Sequence, residues 1–564
     1  MVTYEDLEQG VQDINHMVRV GYSPLSADPD IQRRLEDAFR FMKEPSRRKQ
    51  LSERDRLRLL TLEAEFHQQK GNHLESARIL EPEWKRLLPR LEQWKNHKDF
   101  RLEPSRNSEL LRQKIWLMMH YVFYRYYRVE EAHKPGLTLL RRLEDVTLKE
   151  LATRTYQPSG TLALLHYFMA MCNRGGRGFV LAEKNMLRAQ EETYARLDRE
   201  LKRPDATAER RAYEVAYKNL ICARILFGNS WIALQQGQLV RSEQHVIAGR
   251  SLLFGTRQPY LDLLLRVHGL IALRRRTAFG EEELYERVMD RLANAHAEAE
   301  RLHEAIRRRC AFELVRGRLD IAEFHAEDSE RKAHLVEARK WLERVRAPHA
   351  KDQRIYLLHS ARLFMVGGDL SAAEDMLKRA ISLERQKPSG KNLVPRAVLV
   401  LQAVVALRRT EYSKAKELLE SALAQVTSVM EDPPTPKNPR DPVLEAECYV
   451  LLADAHAGGG DYATARRYLE KWQMLSQFVE NYYLHHLADH VPAAKAPRVV
   501  DYEFPIRRAK GDGIPSIYDR LNDLQQWMLK SVKDRHPEFK DEQLGMALGV
   551  SRSQYGKIYP KKKR

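Results

Sequence analysis

The sequence predicts an all-α fold in which helix pairs repeat along the chain, and three observations lead there. Apolar residues recur at three- and four-residue spacing with charges between them, and alternating, strand-like runs are scarce. Leu, Ala, Arg and Glu, all good helix formers, dominate the composition. A short turn pattern, glycine plus a polar residue between two amphipathic stretches, returns at several points. The length agrees: 564 residues would otherwise mean several domains of ~100–200 residues, whereas stacked repeats extend without enlarging any one core.

Hydrophobic residues make up 43% and charged residues 31%, enough apolar material for a core and too much for a disordered chain. Lys and Arg total 96 against 78 Asp and Glu, a net charge of +18. That is a mild bias toward polyanionic partners and says nothing about fold. Cys172, Cys222, Cys310 and Cys448 lie 50, 88 and 138 residues apart. With no CxxC pair, the zinc-knuckle, redox-dithiol and disulfide-scaffold classes are excluded. The longest strongly apolar run, Ala397 to Leu407, covers 11 residues and contains Gln402, too short to cross a bilayer. Met1 to Asp6 carries acid where a secretory signal carries base. The expectation is a soluble, cytoplasmic protein with no membrane association.

Along the chain, residues 1–50 read as an N-terminal helical segment and 51–490 as the repeat domain. The clearest unit is Leu452-Ala453-Asp454-Ala455-His456-Ala457-Gly458-Gly459-Gly460-Asp461-Tyr462-Ala463-Thr464-Ala465, where one helix ends in glycines and the next presents Ala465, Leu469 and Trp472 on one face. The same grammar governs Phe364-Met365-Val366-Gly367-Gly368-Asp369-Leu370-Ser371-Ala372-Ala373, followed by Leu377 and Ala380. A third copy runs through Ala403, Ala406, Thr410, Tyr412, Ala415, Leu419 and Ala422. Weaker copies sit at Gly71-Asn72-His73-Leu74, at Gly237-Gln238-Leu239 after Trp231, and at Ala338-Trp341-Leu342.

These segments resemble the tetratricopeptide repeat family, whose unit is two antiparallel helices with a small residue at their crossing. Ala373, Ala415 and Ala465 are the small residues that let backbones approach. Gly368 and Gly460 are the expected left-handed caps. The interval Ala338 to Ala373 is 35 residues, near the family's period of about 34; the next two, 42 and 50, make the array degenerate. Pro433, Pro434, Pro436, Pro439 and Pro442 mark an extended connection between repeats. The predicted fold is therefore a degenerate TPR-like α-solenoid followed by a small helix-turn-helix domain.

That second domain is read from residues 516–564, after a linker at 491–515 that holds Pro492, Pro497, Pro505, Gly511, Gly513 and Pro515. Ser516 caps a helix through Leu521, Leu524, Met528 and Val532, and His536-Pro537 breaks it. The stretch from Asp541 to Tyr559 resembles a helix-turn-helix unit of the type that ends Fis-like proteins and bacterial enhancer-binding activators. Gly545 takes the crossing position, Gly549 the turn, and Leu548, Val550, Tyr555 and Ile558 the shared core. Gly545 stands where the family usually has Ala, Gly556 weakens the second helix, and Pro560 shortens it. The resemblance implies DNA contact by Ser551, Arg552, Ser553, Gln554 and Lys557, with Lys561, Lys562, Lys563 and Arg564 on phosphates. The same terminal run also reads as an import signal or a solvated tail. Regulators that join helical repeats to such units usually carry the DNA-binding part first, so the order here departs from theirs.

Other candidates are fewer. The run Tyr121 to Arg128 packs between helices or lends Tyr124, Arg125, Tyr127 and Arg128 to a partner groove. The triplets Arg274–Arg276 and Arg307–Arg309 read first as solvated helix faces and second as a basic groove. His485, His486 and His490 with Asp489 read as a surface cluster rather than a metal site. Arg174-Gly175-Gly176-Arg177-Gly178-Phe179 reads as a turn before a nucleic-acid segment, and Ser389-Gly390-Lys391 lacks the rest of a phosphate loop. No catalytic constellation is evident and no cofactor is expected. The functional expectation is a non-enzymatic regulator or adaptor: the solenoid binds a protein or peptide, the C-terminal unit contacts DNA, and a homodimer supplies paired half-sites. The alternative is a scaffold without DNA binding.

Overall fold

The computed structural model describes residues 51–491, apart from the connections 70–72, 95–108, 127–132, 153–159, 176–178, 206, 255–257, 278–281, 303, 325–327, 346–349, 386–393 and 427–440, together with Arg33, Asp37, Phe39 and Arg40. The described residues form 19 helices and no strand, which is the all-α solenoid class expected. The described chain separates into two compact units. Unit 1 holds residues up to 234, then 240–318 and 337–346; unit 2 holds 235–239, 319–336 and residues from 347 on.

Unit 1 opens with α1 (Glu53–Gln69), α2 (His73–Gln93), α3 (Glu109–Tyr126), α4 (His133–Ala152), α5 (Gly160–Gly175) and α6 (Phe179–Leu201). Each packs on its chain neighbour, and α3 also touches α1 and α5. Aromatics fill the space between them: Trp84 stacks on Tyr121 at 4.9 Å and Phe123 on Phe168 at 4.3 Å. Then follow α7 (Ala208–Gln236), α8 (Leu239–Leu253), α9 (Pro259–Arg276), α10 (Glu282–Leu302), α11 (Glu304–Phe324) and α12 (Asp328–Glu343), of which the end of α11 from residue 319 and the start of α12 up to residue 336 belong to unit 2.

Unit 2 is the more regular. The pairs α13 (Ala350–Val366) with α14 (Leu370–Arg385), α15 (Arg396–Arg408) with α16 (Tyr412–Leu423), and α17 (Pro442–Gly458) with α18 (Tyr462–Ser476) stack in order, and α19 (Tyr482–Asp489) closes on α17. Three apolar clusters run through them. Val394 and Val404 are shared by the first two, Tyr468 and Leu487 by the second and third, so burial passes from pair to pair as in repeat proteins. Ala373, Ala415 and Ala465 are fully buried at the crossings.

The turns explain the repetition. At Gly368, Thr410 and Gly460 the backbone is left-handed, with φ of +87°, +61° and +83°. In each, the next residue's N–H reaches back five positions in the Schellman pattern: Asp369 to Phe364, Glu411 to Ala406 and Asp461 to His456, at 2.9, 2.9 and 2.8 Å. Asp369 and Asp461 then cap the following helix by accepting from Ala372 and Thr464 N–H. Glu411 makes no side-chain cap, so the middle turn holds the same shape without either signature residue. Gly237 is also left-handed, and its carbonyl accepts the Glu480 N–H at 2.9 Å. Asp441 caps α17 ahead of Pro442, so the proline-rich connection ends as a helix start.

Candidate site: an arginine cluster around Glu313

In unit 1 the first helices of successive pairs turn polar residues toward one another. On α11, Arg309, Glu313 and Arg316 follow the i, i+4, i+7 spacing of a single face; on α9, His268 and Arg275 are seven apart. Glu313 accepts from Arg274 and Arg275, one on each carboxylate oxygen, both at 2.8 Å. Arg274 is buried to 1% side-chain exposure and also approaches the Tyr285 hydroxyl, which donates to the Gly317 carbonyl. Arg275, Glu313, Arg309 and Arg316 are half-buried.

Arg309 is held differently. Its guanidinium lies 3.6 Å from the centre of the Trp231 ring and approaches His268 Nε2 at 2.6 Å. An arginine has only donors, so this ring nitrogen is the acceptor and His268 carries its proton on Nδ1. The hydroxyl of Ser230 lies 3.5 Å from Nδ1 and 2.9 Å from that of Ser242, whose own proton goes to the Ser230 carbonyl at 3.0 Å. Protons therefore point in one direction along the chain: His268 to Ser230 to Ser242 to backbone. Arg309 makes no ion pair among the described residues, and Arg316 makes neither ion pair nor hydrogen bond there.

The charges do not balance. Burial would raise the Glu313 carboxyl, but Arg275, Arg274 and Arg316 outweigh it and hold it far below the usual carboxylate range. Burial, with Arg275 adding to it, pushes Arg309 down to about 9 against the pull of Glu313. Burial likewise takes Arg275 to about 10, with Arg316 and Arg274 contributing. All stay protonated at neutral pH. Four guanidinium groups surround the Glu313 carboxylate, and two of them, Arg309 and Arg316, make no ion pair among the described residues, in a setting where water screens poorly. Such a group of fixed donors suits a carboxylate, which takes two parallel N–H bonds from an arginine.

Unit 2 has an ionic network in which the charges balance. Arg362 meets Asp320 at 2.6 Å and Glu323 at 2.8 Å, and Arg408 takes the other Glu323 oxygen at 2.7 Å. The Tyr483 hydroxyl donates to Glu323, and its ring lies under Arg362. Two cations face two carboxylates.

The arginine triplets are thus neither solvated faces nor a simple basic groove. Arg276 binds Glu243, Arg307 binds Glu300 and Glu304, and Arg308 lies near Glu304; only Arg274, Arg275 and Arg309 join the cluster. His268, Glu313 and Arg316 went unread in the sequence and Trp231 was read only as preceding a repeat turn, although polar residues at helical spacing on consecutive first helices were a usable signal. Of the expected partner residues, Tyr124 is buried and Arg125 exposed; Tyr127 and Arg128 lie outside the described residues. Tyr121 to Tyr124 pack inside unit 1. Ser551, Arg552, Ser553, Gln554, Lys557, Lys561, Lys562, Lys563 and Arg564 also lie outside the described residues, as do Gly176 to Gly178 and Ser389 to Lys391. Phe179 packs on Ala182 and Ile232.

His486 and His490 sit against Phe324, and His485 against Trp472. Among the described residues no group of three or more His, Cys, Asp or Glu is placed to hold a metal ion, and no helix is long and apolar enough to cross a membrane. All four cysteines are buried free thiols; burial pushes Cys172 and Cys310 up to about 12. Neither protein-family models nor curated proteins match the chain.

Proposed function

We propose that the chain is a non-enzymatic, cytoplasmic adaptor or regulator in which a tetratricopeptide-like array binds a protein or peptide partner through an acidic segment, and a C-terminal Fis-type helix-turn-helix contacts DNA. The observation that carries the first half is the pair Arg309 and Arg316, half-buried guanidinium groups near Glu313 that make no ion pair among the described residues. A partner carboxylate entering there gains charge-assisted bonds already oriented by Trp231, His268 and Glu313. The second half rests on the Asp541 to Tyr559 pattern and the terminal basic run.

The test titrates the full-length chain against a short fluorescent peptide rich in Glu and an uncharged peptide of equal length, across a salt series. The acidic peptide binds with salt-sensitive affinity, and Arg309→Gln and Arg316→Gln each weaken it about tenfold or more. Equal binding of both peptides, or indifference to both substitutions, ends the reading. For DNA, Arg552→Ala and Gln554→Ala lower affinity for a subset of duplexes, and loss of Lys561–Arg564 lowers it for all while flattening the salt dependence. A chain that binds acidic peptide but no duplex is a scaffold, the second reading.

A further inference from the structure

The two arginines that make no ion pair among the described residues stand on opposite sides of Glu313. Arg309 precedes it by four residues of α11 and Arg316 follows it by three, so all three share one face of the helix. Seven residues of helix separate the two cations by roughly 10 Å at the backbone. Each also faces its own residue on α9. His268 meets Arg309 across a 41-residue offset, and the same offset sets Arg275 level with Arg316, whose charge it feels. The two cations therefore lie on two levels of the helix stack, with Trp231 and His268 at one and Arg275 at the other.

One carboxylate is far smaller than that separation and cannot touch both levels. The carboxylates nearest along the helix are already engaged: Glu313 accepts from Arg274 and Arg275, one on each oxygen, and Asp320, four residues beyond Arg316, is held by Arg362. Arg309 is fixed by the Trp231 ring at 3.6 Å and by His268 at 2.6 Å, so its donors are aimed before a ligand arrives. Both arginines are half-buried. Single side chains of an extended segment reach such groups, whereas the body of a helix, ~10 Å across, does not. A polyproline-type segment advances about 3.1 Å per residue with three residues per turn. Residues i and i+3 then lie on one side of it, about 9 Å apart, which matches the spacing of the two arginines.

We infer that the acidic segment bound by this array carries two carboxylates three residues apart, Asp/Glu-x-x-Asp/Glu in extended form, one bonded to Arg309 and the other to Arg316. This rests on the reading of the cluster as a site for an acidic partner, and it adds the spacing by which one acidic segment is told from another. Net negative charge alone is not the signal. Glu313 stands between the arginines, so a carboxylate in the middle of the segment comes level with another carboxylate.

The test measures binding of peptide rulers to the full-length chain by fluorescence anisotropy at fixed pH and salt. Three rulers carry two glutamates separated by one, two or five prolines, which sets them about 6, 9 and 19 Å apart. A fourth carries a single glutamate, and a fifth is a helical peptide with glutamates seven residues apart. The two-proline ruler binds at least about tenfold more tightly than the single-glutamate peptide, and at least about fivefold more tightly than the other three. Arg309→Gln and Arg316→Gln each erase that preference, whereas Arg276→Gln, at an arginine paired with Glu243, leaves it intact. Equal binding of the three two-glutamate rulers overturns the spacing while the acidic-partner reading stands. Tightest binding of the helical peptide overturns the extended form. If no acidic peptide binds at all, the site itself falls and this inference with it.

Discussion

In unit 1 four arginines share the one carboxylate of Glu313, whereas in unit 2 Arg362 and Arg408 are answered by Asp320, Glu323 and the hydroxyl of Tyr483. Both networks lie on the first helices of their pairs. Desolvated charge is costly unless it is matched, so the matched network is explained by folding alone. The unmatched one is not. A protein that keeps Arg309 stacked on Trp231 with no ion pair of its own among the described residues carries a cost that an incoming anion would remove.

This difference can be broken at its weakest point. Glu313→Gln leaves four guanidinium groups with no carboxylate, and the expected loss of stability at pH 7 is about 3–5 kcal/mol, read by urea denaturation. The folded-state carboxyl titrates below its unfolded value of roughly 4.3, so its contribution is complete above that pH and fades as pH falls below it. The gap between wild type and Glu313→Gln therefore narrows on acidification. A gap that stays constant from pH 7 to pH 3 would remove Glu313 as the neutralising group.

Arg362→Met strips the counter-charge from Asp320 while Arg408 still holds Glu323, so a smaller loss of about 2–4 kcal/mol is expected. The sharper comparison is Arg309→Met. It removes a cation that makes no ion pair among the described residues and gives up a ring contact, one hydrogen bond and the attraction of Glu313, so stability shifts by less than about 1 kcal/mol in either direction. Binding of an acidic peptide falls all the same. Equal losses for Arg362→Met and Arg309→Met would mean that both networks are structural, and the contrast between the units would vanish.

The fold was legible because its signals are local. Gly368, Asp369, Gly460 and Asp461 announce a left-handed cap followed by a helix start, and Ala373, Ala415 and Ala465 announce crossings. The arginine cluster was not, because its members come from three separated helices and Glu313 looks like any surface glutamate in one dimension. Charge triplets such as Arg274–Arg276 were misleading in a specific way: three consecutive helical residues point in three directions, so one is buried, one half-buried and one exposed.

Unit 2 also shows how far its regularity outlasts its sequence, and Thr410 measures it. A β-branched residue at φ +61° pays about 1–3 kcal/mol of backbone strain, while the turn's backbone bonds from Thr410 to Leu407 and from Glu411 to Ala406 are kept. Thr410→Gly removes the strain and the hydroxyl bond to the Arg409 carbonyl, and it adds unfolded-state entropy. The net is a gain of about 0.5–1 kcal/mol, seen as a higher midpoint in thermal unfolding. Gly460→Thr isolates the backbone part, because a Cβ there meets nothing within 4 Å; the loss should be of similar size. If Thr410→Gly destabilised the protein instead, the three turns would not be equivalent. The regularity of unit 2 would then rest on packing alone.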